Sequence, residues 1–128
     1  MKKSILIVGA AFACLSASIA VALPPLPDWQ QLESYHQQDH GTGMAQQSIL
    51  AALPAGTSIQ TARAALIADG ATCTRPRKRT GVEKCLIHQY DLGDGAADDV
   101  RWTITISAPQ GHIESLQLDR YVDRHGTA

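Results

Sequence analysis

Between Val100 and Ala108 apolar and polar residues alternate without a break. Val100, Trp102, Ile104 and Ile106 stand against Arg101, Thr103, Thr105 and Ser107. A period of two with one apolar face predicts a strand that is buried on one side and wet on the other. After the turn residues Pro109-Gln110-Gly111, the stretch from His112 to Val122 predicts a returning strand with Leu116 and Leu118 inward. Ile113 is out of phase with those two, which predicts a bulge near Glu114-Ser115.

Upstream the period is helical. Trp29, Leu32 and Tyr35-His36 make a narrow apolar stripe over 29–38, with Asp28 placed to cap its start. Gly41 and Gly43 are expected to end that helix. Met44, Ile49, Leu50 and Leu53 form the apolar side of a second short helix, stopped by Pro54. A third helix is signalled by Thr57 and Gln60, spaced as a capping box, by Ile59, Ala62 and Leu66 on one face, and by Gly70 as a left-handed stop. The period then changes to two. Ala71 to Thr74 and Val82 to Leu92 predict a hairpin whose tip is the basic run Arg75-Pro76-Arg77-Lys78-Arg79-Thr80-Gly81. Helices followed by a four-stranded antiparallel meander, with the helices on its apolar face, predict an α+β fold.

The first 22 residues stand outside this pattern. Met1-Lys2-Lys3, an apolar run from Ser4 to Ala13 and Ala20-Val21-Ala22 have the order of an export signal, cleaved before Leu23. Cys14 raises lipid attachment as a rival, but Phe12 sits badly in the sequence such a site needs. Cleavage leaves 106 of the 128 residues, enough for one domain at 28–123 with a modest core. Leu23-Pro24-Pro25-Leu26-Pro27 predicts an extended tether, and 124–128 a frayed end. Export implies a periplasmic or secreted protein with no membrane insertion once the signal is removed.

Export also changes the reading of the cysteines. Cys73 and Cys85 remain after cleavage, and an even pair in an oxidising compartment predicts a disulfide. Their spacing matches no zinc pattern. Loss of Lys2 and Lys3 reduces 11 basic residues to 9 against 12 acidic ones, a net charge of −3. That balance argues against a general nucleic-acid or membrane-surface binder.

Gly56-Thr57-Ser58-Ile59-Gln60-Thr61-Ala62 with Leu66, a strand, Trp102-Thr103-Ile104 and the turn Gln110-Gly111-His112-Ile113 together resemble the small SmpA/OmlA-type (BamE-like) envelope domain. The same module is found in secreted β-lactamase-inhibitor proteins. The resemblance covers roughly residues 45 to 122. It implies a non-enzymatic domain that docks onto other envelope or secreted proteins. The chain departs from the family's lipoprotein members in lacking a good lipid-attachment site, and it adds the cysteine-closed basic loop.

The candidate chemistry agrees with a binder. Arg75, Arg77, Lys78 and Arg79, with Lys84 just beyond, gather positive charge on an otherwise acidic chain. A disulfide beneath them would pre-order the loop and reduce the entropy lost on binding. Such a cluster suits carboxylates on a protein, or phosphate. The exposed sheet face, with Arg101 and Thr103, extends the expected contact surface. Asp91, Asp94, Asp98 and Asp99 lack the spacing of a calcium loop and are expected in a solvated turn. His36 and His40 have a chelating spacing, but Gln37 stands where a metalloprotease helix needs glutamate. His88 and His112 are expected as neighbours across strands, without a nucleophile beside them. No catalytic residue, metal or cofactor is implied. The expected function is an inhibitor or immunity factor acting on an envelope or secreted protein. The alternatives are an envelope-assembly accessory and a metal-binding protein.

Overall fold

The computed structural model describes residues 23–91 and 98–124. The export signal with Cys14, Leu92, the loop residues 93–97 and the end 125–128 lie outside the described residues. Three helices, α1 (Trp29–Asp39), α2 (Gly43–Ala52) and α3 (Ile59–Ala68), precede four strands, β1 (Thr72–Thr74), β2 (Val82–Asp91), β3 (Asp98–Ser107) and β4 (Ser115–Arg124). The strands form one antiparallel sheet in the order β1-β2-β3-β4, so the α+β meander stands as expected.

Register divides the sheet into two unlike faces. Val100, Trp102, Ile104 and Ile106 of β3 are buried, and Leu116 and Leu118 of β4 join them beneath the helices. Leu32, Ile49 and Leu66 complete the core from α1, α2 and α3. Cys85 and Ile87 of β2 lie on the same inner face. The opposite face carries Lys84, Leu86 and His88 beside Thr105, Thr103 and Arg101, and none of the described helices packs on it.

Local chemistry explains each start and stop. Asp28 accepts from the Gln31 backbone N–H at 2.8 Å, and the Gln31 side chain accepts from the Asp28 backbone N–H at 3.0 Å. This is a reciprocal capping box at α1. That helix ends at His40, whose φ of 54° is the left-handed turn a glycine more often supplies, so the stop precedes Gly41. The turn takes His40 off the helix face it would have shared with His36. The Asp39 carboxylate then accepts from the backbone N–H groups of Gly41 and Met44 at 2.9 and 2.8 Å, linking α1 to the first turn of α2. Those two donors, Met44 N–H first, stabilise the charged form and hold the Asp39 pKa below the usual carboxylate range.

In α2 the buried side is Ala45, Ile49 and Ala52, while Met44 is exposed. Ile49 and Leu53 are buried and Leu50 packs on the core as expected, whereas Met44 falls outside and Ala45 and Ala52 complete the buried side. α3 also begins one residue later than expected. Thr57 is occupied elsewhere: its hydroxyl donates to Pro54 O at 2.7 Å and its carbonyl accepts from Ile113 N. Ser58 therefore serves as the cap, accepting from Thr61 N at 3.3 Å. Gly70 stops the helix as expected, with φ 99°; its N–H reaches Ile67 O, and the Ala71 N–H reaches Leu66 O.

No bulge accommodates Ile113. The strand instead starts at Ser115, and the preceding residues bind the entrance of α3. Gly56 N donates to Ile113 O, Ile113 N to Thr57 O, and Ile59 N to Gly111 O, all near 2.8–2.9 Å. Ile113 is buried in this junction. The proline-rich segment is extended but not loose, since Leu26 packs against the core and Pro27 is buried. Among the described residues no helix is long and apolar enough to cross a membrane.

Candidate functional site

β1 and β2 set the base of the cationic loop. Thr72 pairs with Leu86, Cys73 with Cys85 and Thr74 with Lys84, so the two cysteines face each other directly. They form the expected disulfide. The loop's other end is fixed by Gly81. It adopts φ 76°, and a Cβ there would meet the Pro109 backbone at 2.6 Å. Its carbonyl accepts from Ala108 N at 2.7 Å, which adds one rung beyond the β2–β3 ladder. Any side chain at Gly81 forces both a left-handed backbone and a backbone clash. Within the loop, Arg79 N closes a turn on Pro76 O at 3.3 Å.

The six cations expected at the binding surface separate into three groups. Arg75 and Arg79 line a cleft of about 380 Å³ between the loop and the start of α3. Ile59, Val82 and Ala108 supply its apolar walls, and Gln60, Thr80 and Glu83 its polar ones. Arg77 and Lys78 are exposed at the tip. Lys84 and Arg101 lie on the bare sheet face, bordering a shallow depression with Leu86 and Thr103. Among the described residues, Arg77, Lys78, Arg79 and Lys84 make no ion pair.

The centre of the cleft was not visible as chemistry in the sequence. Glu83 is only 2 % exposed and stands on the inner face of β2. Arg63 Nε of α3 lies 3.0 Å from one of its oxygens, and Arg75 Nε donates to the other at 3.1 Å. A buried carboxylate must be paired, and two guanidiniums pair this one. The cleft lining thus carries Arg75 and Arg79 against Glu83, whose charge Arg63 also offsets from α3, which leaves an excess of positive charge. Strand parity holds the signal: once Cys85 faces inward, Glu83 must face inward too, a charge in an apolar row.

Arg101 is differently placed. Its Nε and Nη2 donate to Asp99 Oδ2 at 3.1 and 2.8 Å, and its guanidinium lies 5.8 Å from the Tyr121 ring centre. Asp99 belongs to β3 and is buried rather than solvated, because Arg101 and His88 flank it. The Arg101 hydrogen bond holds the Asp99 carboxyl below the usual range, with its charge and that of His88 acting the same way. Part of the Arg101 charge is thereby neutralised within the protein. His88 pairs with Arg101 in the β2–β3 register, while His112 bridges to Ser58 at the other end of the sheet, so the two histidines are not neighbours. Among the described residues no three metal-ligating side chains gather.

Comparison with protein-family models, curated proteins and solved structures finds no match for this chain.

Proposed function

We propose that this chain is an exported, non-enzymatic binding domain that docks onto an acidic surface of an envelope or secreted protein, acting as an inhibitor or immunity factor. The docking surface is the 75–81 loop with the adjoining bare face of the sheet. One observation carries the reading: the loop presents Arg77, Lys78 and Arg79 without ion pairs among the described residues, while a disulfide and the close approach of Gly81 to Pro109 fix both of its ends. Ordering before contact lowers the entropic cost of association. Complementary charge steers encounter and selects against basic partners.

The test is capture of partners from envelope and culture extracts by the tagged mature protein, beside a variant with Arg77, Lys78 and Arg79 all changed to Glu. The expected result is one stoichiometric partner, lost in the variant, with an unchanged melting temperature. Capture that survives charge reversal overturns the assigned surface. Absence of any partner with either form overturns the binding reading itself.

A further inference from the structure

We infer that the cleft between the loop and α3 is a carboxylate pocket that receives a glutamate side chain of the partner. The inference rests on the binding reading above and assigns that surface its anchor point.

Charge and shape both favour this ligand. Arg75 is held by its Nε on the buried Glu83. A guanidinium has five N–H donors in a planar fork, so this bond orients Arg75 and leaves other donors for a ligand. Arg79 lines the same cleft and makes no ion pair among the described residues. Thr80 lines the same cleft, and a threonine hydroxyl is a neutral donor. Two arginines and a hydroxyl around one opening suit a planar carboxylate, which accepts bidentate hydrogen bonds.

The walls decide between anions. Ile59, Val82 and Ala108 are apolar, and a glutamate stem can cover them while its carboxylate reaches the arginines. Inorganic phosphate has no such stem. Glutamine has the stem and shape but not the charge. The Glu83 charge is offset by Arg63, which leaves Arg75 and Arg79 as the surplus cations in the lining. Arg77 and Lys78 are outside the cleft and contribute only through long-range attraction, which salt screens.

The experiment follows backbone amide NMR shifts of Thr80 and Gly81 in the mature protein during titration with acetyl-Ala-Glu-Ala-amide. Acetyl-Ala-Gln-Ala-amide and inorganic phosphate are titrated in parallel. Saturable shifts with the glutamate peptide, and weaker ones with the other two, are expected. Arg79→Ala should weaken glutamate binding about tenfold, whereas Arg77→Ala should change it by less than about twofold. Equal binding of the glutamine peptide, tighter binding of phosphate, no saturable shift with the glutamate peptide, or equal losses in the two variants overturns the pocket. The two readings can fail separately. Peptide failure alongside successful partner capture removes the pocket and leaves the docking reading standing. Peptide binding without partner capture does the reverse.

Discussion

Glu33 and Glu83 each join a helix to the inner face of the sheet, but they are built in opposite senses. Glu33 belongs to α1 and reaches down to β3 and β4. Its Oε1 accepts from Trp102 Nε1 at 2.8 Å and from Arg120 Nε at 3.0 Å, and its Oε2 accepts from Arg120 Nη2 at 2.7 Å. The Arg120 guanidinium also lies over the Trp102 ring, 5.7 Å from its centre. One anion meets one cation, so the cluster is neutral. Glu83 belongs to the sheet and reaches up to Arg63 of α3 and out to Arg75 of the loop. One anion meets two cations, and both of those side chains are more than a third exposed. The first cluster is complete as it stands. The second leaves charge at the surface. A carboxylate that only positions a helix needs just enough partners to be satisfied, whereas surplus cations around a buried carboxylate give the surface something to offer another molecule.

Removing the Glu33 carboxylate should have the largest effect. Glu33→Ala leaves the indole N–H of fully buried Trp102 without its acceptor and Arg120 without its counter-charge. A loss of about 3–4 kcal/mol is expected by denaturant unfolding. A loss below about 1 kcal/mol would show that this cluster is not an anchor. Opening the disulfide comes next. The paired changes Cys73→Ser and Cys85→Ser release a link across a separation of 12 residues, and a loss of about 3 kcal/mol is expected. Loop amides should also exchange faster with solvent. Unchanged loop exchange would remove preorganisation from the contrast.

Glu83→Gln should cost less than Glu33→Ala, about 1 kcal/mol, because glutamine keeps the side chain's volume and an oxygen that accepts from Arg75. A cost equal to that of Glu33→Ala would erase the difference between the clusters. The smallest effect concerns Asp99 on the bare face. Its carboxyl is held low by Arg101, so its stabilising contribution is present above the unfolded value near 3.9 and is lost as pH falls through the lowered folded value. Melting temperature should therefore fall less steeply between about pH 5 and 3 in Asp99→Asn than in the parent chain. Asp39 is also held low and contributes an acid dependence common to both forms. Identical pH profiles would show that the Asp99–Arg101 contact does not contribute in solution.

Much of this architecture was legible along the chain. The unbroken alternation of 100–107 announced β3, Asp28 announced α1, Gly70 announced the end of α3, and Cys73 with Cys85 announced the hairpin. Each of these signals acts within a few residues or through a fixed period. The expected binding cations were legible as a cluster, but not their division among cleft, tip and sheet face. Thr57 misled because its hydroxyl turns back to Pro54 O, and its carbonyl is taken by Ile113 N, 56 positions away in sequence. Asp99 misled because the loop reading missed that β3 already includes it, which puts Arg101 two residues on along the same face, and because His88 reaches it only once β2 and β3 align.

The sequence by itself determined the order of elements, the buried face of the central strand and the place of the disulfide, since backbone periodicity and pairing chemistry are local properties. Only the tertiary structure decided which charges meet. Glu33 found Arg120 across 87 positions and Glu83 found Arg63 across a helix–sheet interface, because packing the apolar faces fixed which polar groups were carried inside with them. A carboxylate removed from water must then bind the cations within reach, and that requirement turned a charged loop into a cleft with an arginine held in place at its wall.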